Sequence, residues 1–265
     1  RIVIGLVEPH LMAGYSGGRK LITPGLAHVQ TITRLHSAEF LENENTANCT
    51  LAGNPVHEEQ IEILRMAGEV YAVNTVIDEN RRLSYVNFGE AEASHRAAVD
   101  YLNKYAIVPV PERFSTVVTT CAGYPLDATF YQACKGLVAA MDLVKPGGNL
   151  IIAAECSEGI GSSEFIESQK CFLNLGRVRF LKHILSRRHA NIDEWGTQLL
   201  IKAIRHAEIS LYSTGLNSAE KTLTGLMAVT SLTDAIRKSI EASGDDKIAI
   251  VPEGPYVIPE LNAAC

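Results

Sequence analysis

Ser115-Thr116-Val117-Val118-Thr119-Thr120 is an apolar, β-branched run. A helix-like stretch follows from Ala128 to Val144, then a Lys145-Pro146-Gly147-Gly148 turn, then a second apolar run from Asn149 to Ala154. Strand, helix and strand in that order make a βαβ unit, with parallel strands and a right-handed crossover. The same alternation extends outward in both directions. Upstream, Ile2 to Val7 reads as a strand, Ala27 to Leu41 as a helix and His57 to Ala67 as another. Glu69 to Ile77 and Leu83 to Val86 read as partner strands and Glu90 to Lys104 as a helix. Downstream come helices near Glu164 to Cys171, Trp195 to His206 and Thr233 to Ala242, with strands at Glu208 to Tyr212 and Lys247 to Val251. The pattern predicts an α/β fold built as two units with mainly parallel sheets and a cleft between them.

The break between units is expected at Tyr105 to Glu112, where Pro109 and Pro111 exclude a central strand or a helix interior. That divides the chain into 1–108 and 112–232, with 233–265 expected to send its helix and strand back to the first domain. Six cysteines are scattered without a Cys-x-x-Cys pair, which suits reduced thiols in a cytoplasmic protein better than a disulfide framework or zinc site. A net charge of -6 argues against a general nucleic-acid binder, and no apolar run is long enough to span a bilayer. The basic run from Arg177 to His189 reads as a solvated helix face. The chain opens at Arg1, inside a strand, so it is expected to be part of a longer protein.

The chemistry concentrates between Glu8 and His36. This stretch reads Glu8-Pro9-His10, then Gly14-Tyr15-Ser16-Gly17-Gly18-Arg19-Lys20, Pro24-Gly25 and finally His36. Gly14, Gly17 and Gly18 allow a tight turn and a close approach to a ligand. Lys20 taken alone reads as an anion binder or as an amine made nucleophilic by apolar surroundings and Arg19. A Walker P-loop is excluded, because Arg19 stands where its second glycine would be. His10, at a strand end, is a candidate acid/base. His36 has no second histidine at ligand spacing on its helix, so as a metal ligand it needs help from elsewhere.

These motifs resemble the lactate racemase family, whose members use a nickel-pincer nucleotide. The similarity runs on through Gly53-Asn54-Pro55-Val56-His57-Glu58, Gly123-Tyr124-Pro125-Leu126-Asp127, Tyr131-Gln132, Lys135-Gly136, Ala154-Glu155-Cys156, Glu158-Gly159, Gly161 and Trp195. The resemblance implies that 1–108 is the C-terminal part of a cofactor-bearing domain. It implies that Lys20 forms a thioamide with the cofactor's pyridinium ring, with Gly17, Gly18 and Arg19 nearby, and that His36 binds nickel alongside two sulfurs and a carbon of the cofactor. His10 would then take the proton of the substrate's 2-hydroxyl while hydride leaves C2 for the ring. Tyr131, Gln132 and Lys135, otherwise a solvated helix face, would bind the substrate. Trp195 reads as packing, and Glu155 and Glu158 carry no assigned role.

The implied activity is racemisation or epimerisation of a lactate-like 2-hydroxy acid, with separate enzymes making the cofactor. The family's second acid/base histidine lies upstream of this sequence, so residues 1 to 265 alone are expected to be inactive. Two rival readings remain: a Schiff-base enzyme using Lys20 on a carbonyl substrate, and a non-catalytic module binding an anionic nucleotide at the Gly17-Gly18 loop.

Overall fold

The computed structural model describes residues 1–261; Cys265 lies outside them. The described residues form two compact units. One comprises 1–107 with 187–190, and the other takes 108–186 and everything from 191 onward. The first break falls within the stretch holding Pro109 and Pro111, and Ile107–Val110 joins Ile258–Leu261 in a ladder of only two strands. A two-stranded ladder has no central strand, so the prolines cost it little.

In the first unit, β1 (Ile2–Leu6) lies parallel to β2 (Tyr71–Ile77), which pairs antiparallel with β3 (Leu83–Glu90). Successive side chains alternate between faces. Val3, Ala72 and Val76 point inward, towards α3 (Pro55–Met66) and α4 (Ala91–Ala106), which supply Ile61, Leu64, Ala98, Val99 and Leu102 to the buried clusters. The other face carries Ile2, Ile4, Val86 and Phe88, all more than half exposed. α3 begins before His57, because Asn54 caps it and Pro55 occupies its first turn, where no N–H is needed. The single helix expected over Ala27 to Leu41 is instead two, α1 (Val29–Leu35) and α2 (Ala38–Leu41). His36 closes the first, and Ser37, extended, opens the second, a position that hydroxyl residues favour.

The second unit is organised on five parallel strands: β4 (Phe114–Thr120), β5 (Val144–Ala153), β6 (Glu208–Tyr212), β7 (Met227–Val229) and β8 (Ile248–Val251). Their spatial order is β7-β6-β5-β4-β8. The expectation that 233–265 returns to the first domain is overturned for the described part. Ile248 pairs with Thr116 and Val251 with Thr119, so β8 completes the second unit's own sheet. An apolar four-residue strand satisfies any parallel edge, and nothing in its composition names the sheet it joins.

Val117 faces a core shared with Phe130 and Leu137 of α5 (Phe130–Ala140) and with Leu200 and Ala203 of α8 (Glu194–His206). Thr116, one residue earlier, points the other way and meets the Ser239 hydroxyl of α10 (Leu232–Ser243) at 2.6 Å. Three further helices, α6 (Ser163–Leu175), α7 (Arg177–Leu185) and α9 (Ser218–Leu223), precede or separate these elements. α7 carries the basic run and buries only Phe180 and Ile184.

α5 approaches β4 closely at Gly136, where an added Cβ would lie 2.5 Å from the Thr120 carbonyl oxygen. Gly136→Ala is therefore expected to lower stability by about 1–3 kcal/mol through overpacking, read as an earlier urea midpoint at unchanged slope. Among the described residues no cysteine is bridged, and no helix is long and apolar enough to cross a membrane.

Candidate active site

Pro9–His10 and Gly14–Tyr15 form a two-residue antiparallel ladder beyond β1. Ser16 fastens it: its hydroxyl donates to the Leu6 carbonyl and accepts the Glu8 N–H, each at 2.8 Å. Burial pushes the neighbouring Glu8 carboxyl up from its usual range. The chain then makes one 3-10 turn, Gly18–Leu21, that carries Lys20. Ladder and turn together set His10 Nε2 2.8 Å from Lys20 Nζ.

The direction of that hydrogen bond follows from the other side of the ring. His10 Nδ1 accepts the N–H of Met12 at 3.2 Å and that of Ala13 at 3.1 Å. A nitrogen facing two donors carries no hydrogen, so the neutral ring keeps its hydrogen on Nε2. Nε2–H then donates to Lys20, and an ammonium has no lone pair to receive it. The contact therefore pairs a neutral amine with a neutral imidazole, the arrangement a nucleophilic lysine needs.

Gly14, Gly17 and Gly18 all take the positive φ expected of a tight turn, and packing adds a second reason for two of them. A Cβ on Gly17 would lie 2.6 Å from Val7 Cγ2, and one on Gly18 2.7 Å from the His95 ring. Both positions are buried, and the Gly18 N–H is taken by Asn74 Oδ1 at 3.0 Å. Packing inside the unit therefore also requires Gly17 and Gly18.

Arg19 is corrected outright as a cofactor contact. Its side chain is only 1% exposed and turned inward, donating to the Ala13 carbonyl, with Nη1 2.9 Å from His95 Nε2. Burial pulls its pKa down to about 9. The same His95 nitrogen also stands 2.9 Å from the Ser16 carbonyl oxygen, so it faces a donor on one side and an acceptor on the other. Burial, and then the Arg19 charge, hold the His95 ring down at about 3. His57 is lowered to about 4 by burial, Arg19 and Arg96, in that order.

His36, at the end of α1, has Nδ1 2.8 Å from the Ile32 carbonyl oxygen. That oxygen can only accept, so Nδ1 holds the hydrogen and Nε2 the lone pair, as a metal-binding imidazole requires. Among the described residues no three His, Cys, Asp or Glu side chains gather into a metal site. The end of α1 is held from far along the chain: Ala190 N–H donates to the Thr33 carbonyl at 3.0 Å, and Arg34 Nη1 to the Arg188 carbonyl at 3.3 Å.

In the second unit, Tyr131, Gln132 and Lys135 are the half-buried positions on an otherwise buried start of α5. Tyr131 is wedged against Phe165, with a ring-centroid separation of 5.1 Å, and its hydroxyl accepts the Trp195 indole N–H at 2.7 Å. Trp195 is accordingly a buried packing partner, as its sequence context suggested. Burial lowers the pKa of the Lys135 amine. Where the strand order reverses beside β4, a cavity of about 550 Å³ opens at the strands' carboxyl ends, lined by Thr120, Asp127, Glu155, Tyr212 and Glu253 among others. Asp127 accepts the Glu155 N–H at 2.9 Å there, which gives Glu155 a place on the cavity wall.

Residues 111–259 match the lactate racemase C-terminal domain family, and residues 1–48 the lactate racemase N-terminal domain family. The chain belongs to the lactate racemase family. It is 32% identical over 258 residues to the lactate racemase of Thermoanaerobacterium thermosaccharolyticum and 30% identical over 261 residues to that of Lactiplantibacillus plantarum. Each match takes in 96% of this chain and 60% of the relative, so the chain spans about three fifths of their length. The structure of the Thermoanaerobacterium lactate racemase apoprotein superposes with a TM-score of 0.91 at 31% identity, over 98% of this chain and 62% of that one. A protein from Thermotoga maritima, 16% identical, shares the fold with a TM-score of 0.68, over 98% and 66% of the two chains.

Three residues that sequence reasoning passed over support the site of this lactate racemase family member. Asn74 holds Gly18, Asn54 is fully buried beneath the His10 loop, and His95 fills the space beside Gly18. A signal existed for each. Asn74 sits on the inward period of β2 between Ala72 and Val76, His95 lies on the apolar face of α4, and Asn54-Pro55 is a helix-start signature.

Proposed function

We propose that the complete protein interconverts the stereoisomers of a lactate-like 2-hydroxy acid, with Lys20 tethering a nickel-pincer nucleotide and His36 supplying one ligand to its nickel. The observation that carries this reading is the 2.8 Å contact between His10 Nε2 and a Lys20 amine that can only be an acceptor. The residues fit the group: a neutral amine for the covalent bond, and an imidazole whose Nε2 lone pair suits a soft, planar metal. When bound, the nucleotide serves as the acceptor and donor of hydride. The protein's part is the proton. His10 is the candidate to take it from the 2-hydroxyl and return it, at Nε2 once the ring's hydrogen stands on Nδ1 and the Met12 and Ala13 contacts of the cofactor-free chain have opened. Lys135 and Gln132 are the second unit's candidates for the substrate carboxylate.

Intact mass and metal analysis of the full-length protein, purified from cells that make the cofactor, tests the proposal together with a chiral assay of lactate. The expected result is an added mass on the peptide containing Lys20, nickel near one per chain, and conversion of one enantiomer into the other. Borohydride trapping of a carbonyl substrate on Lys20 without nickel would replace it with the Schiff-base reading. Neither adduct nor turnover would leave a binding module.

A further inference from the structure

His10 is useful only if its ring is held, and the holding groups are the N–H donors of Met12 and Ala13. Backbone donors in the three-residue loop between His10 and Gly14 stay in place only if their peptide planes are fixed. We propose that Asn54 is a positioning residue for His10: it fixes the peptide plane that aims the Ala13 N–H at the ring. This rests on the reading of Lys20 as the residue that tethers the cofactor, since a bare Nδ1 leaves Nε2–H to hold the Lys20 amine neutral.

The Met12 carbonyl and the Ala13 N–H belong to one planar trans peptide, so they point in opposite directions. Asn54 Nδ2 donates to that carbonyl at 2.9 Å, which turns the N–H toward His10 Nδ1. The same amide group donates to the Thr50 carbonyl at 2.9 Å, so both of its hydrogens are committed. Its oxygen accepts the Val56 and His57 N–H groups at 3.0 and 3.3 Å and starts α3. Every bonding site of the fully buried side chain is thus defined, and its rotamer is fixed with it. Arg19 grips the next peptide through the Ala13 carbonyl. The device runs from helix cap to amide to peptide plane to imidazole, and ends at Lys20.

Two of these roles can be separated by substitution. Asn54→Asp keeps the oxygen that caps α3, since aspartate is as good a cap as asparagine, and deletes only the donors to Met12 and Thr50. Asn54→Ser does the same without adding a charge. Nitrogen-15 NMR of the histidine rings in the cofactor-free chain reads the outcome. The unaltered chain is expected to show His10 with Nδ1 bare and Nε2 protonated. Both variants are expected to lose that single form to a mixture, and acylation of Lys20 by a limiting amine reagent, read by peptide mass spectrometry, is expected to fall severalfold.

A hydrogen on His10 Nδ1 in the unaltered chain overturns the proposal without any variant. So does an unchanged tautomer and Lys20 reactivity in a folded Asn54→Ser chain. Because this readout needs no cofactor, a correct tautomer with no adduct on the loaded protein would fault the proposed function alone. An adduct with the wrong tautomer would fault only the role of Asn54.

Discussion

Lys20→Arg in the complete protein is expected to leave no added mass on its peptide and to reduce racemisation by about three orders of magnitude or more, the scale on which enzymes respond to losing a covalent catalytic group. Arginine keeps the positive charge and nearly the length of the side chain. It would preserve an anion-binding role at this turn, and it cannot supply the neutral amine that the His10 contact requires. Lys135→Met makes the useful contrast. Its amine is also desolvated, but it stands on the half-buried stripe of α5, and its loss is expected to raise KM while the adduct on Lys20 persists. Full activity in the Lys20→Arg protein would remove the lysine from the chemistry. An adduct lost equally in both variants would show that the second unit governs cofactor attachment as well.

Acid is expected to undo the first unit before it titrates ordinary carboxylates. His95 is held neutral to about pH 3 by burial and by Arg19, and His57 to about 4 by burial and the same cation. An unfolded histidine takes its proton near pH 6.5. Below that value the unfolded chain binds more protons than the folded one, so stability falls as pH falls. The contribution is complete above pH 6.5 and is lost progressively toward the folded values. For His95, almost wholly buried, the loss between pH 6.5 and 5 is about 2 kcal/mol, which for a unit of this size corresponds to about 10 °C in Tm. His57 adds to the same trend. The check is a set of melting curves from pH 7.5 to 5 on the intact chain and on His95→Asn. The variant is expected to show a shallower dependence whatever its absolute Tm. A Tm that stays flat over this range, or equal slopes in the two proteins, would show that these rings are not the groups being charged.

Why the sequence revealed some features and concealed others can be seen in particular residues. The βαβ run from Ser115 to Ala154 was legible because apolar strands of β-branched residues flank a helix of consistent period. That Lys20 and His10 lie together was legible because they share a short loop rich in glycine. The break at His36 was harder, because Ala27 to Leu41 keeps a helical period through a serine that serves equally as interior residue or cap. The inward turn of Arg19 could not be read from its neighbours at all. Its partners are Ala13, six residues back, and His95, which lies on a different helix. Destination was the other hidden quantity. Strand β8 joins β4 across well over a hundred residues of chain, and periodicity reports the kind of element but not its partner.

The residues that return from 187 to 190 have a practical meaning for anyone dissecting the protein. They dock on Thr33 and Arg34, just before the histidine that closes α1. A cut after residue 107 would therefore sever the two pieces covalently yet strip one of them of its distant clasp, and the loosened helix end is the one bearing His36. The two halves of this chain are compact, but they are not separable by a single pair of scissors.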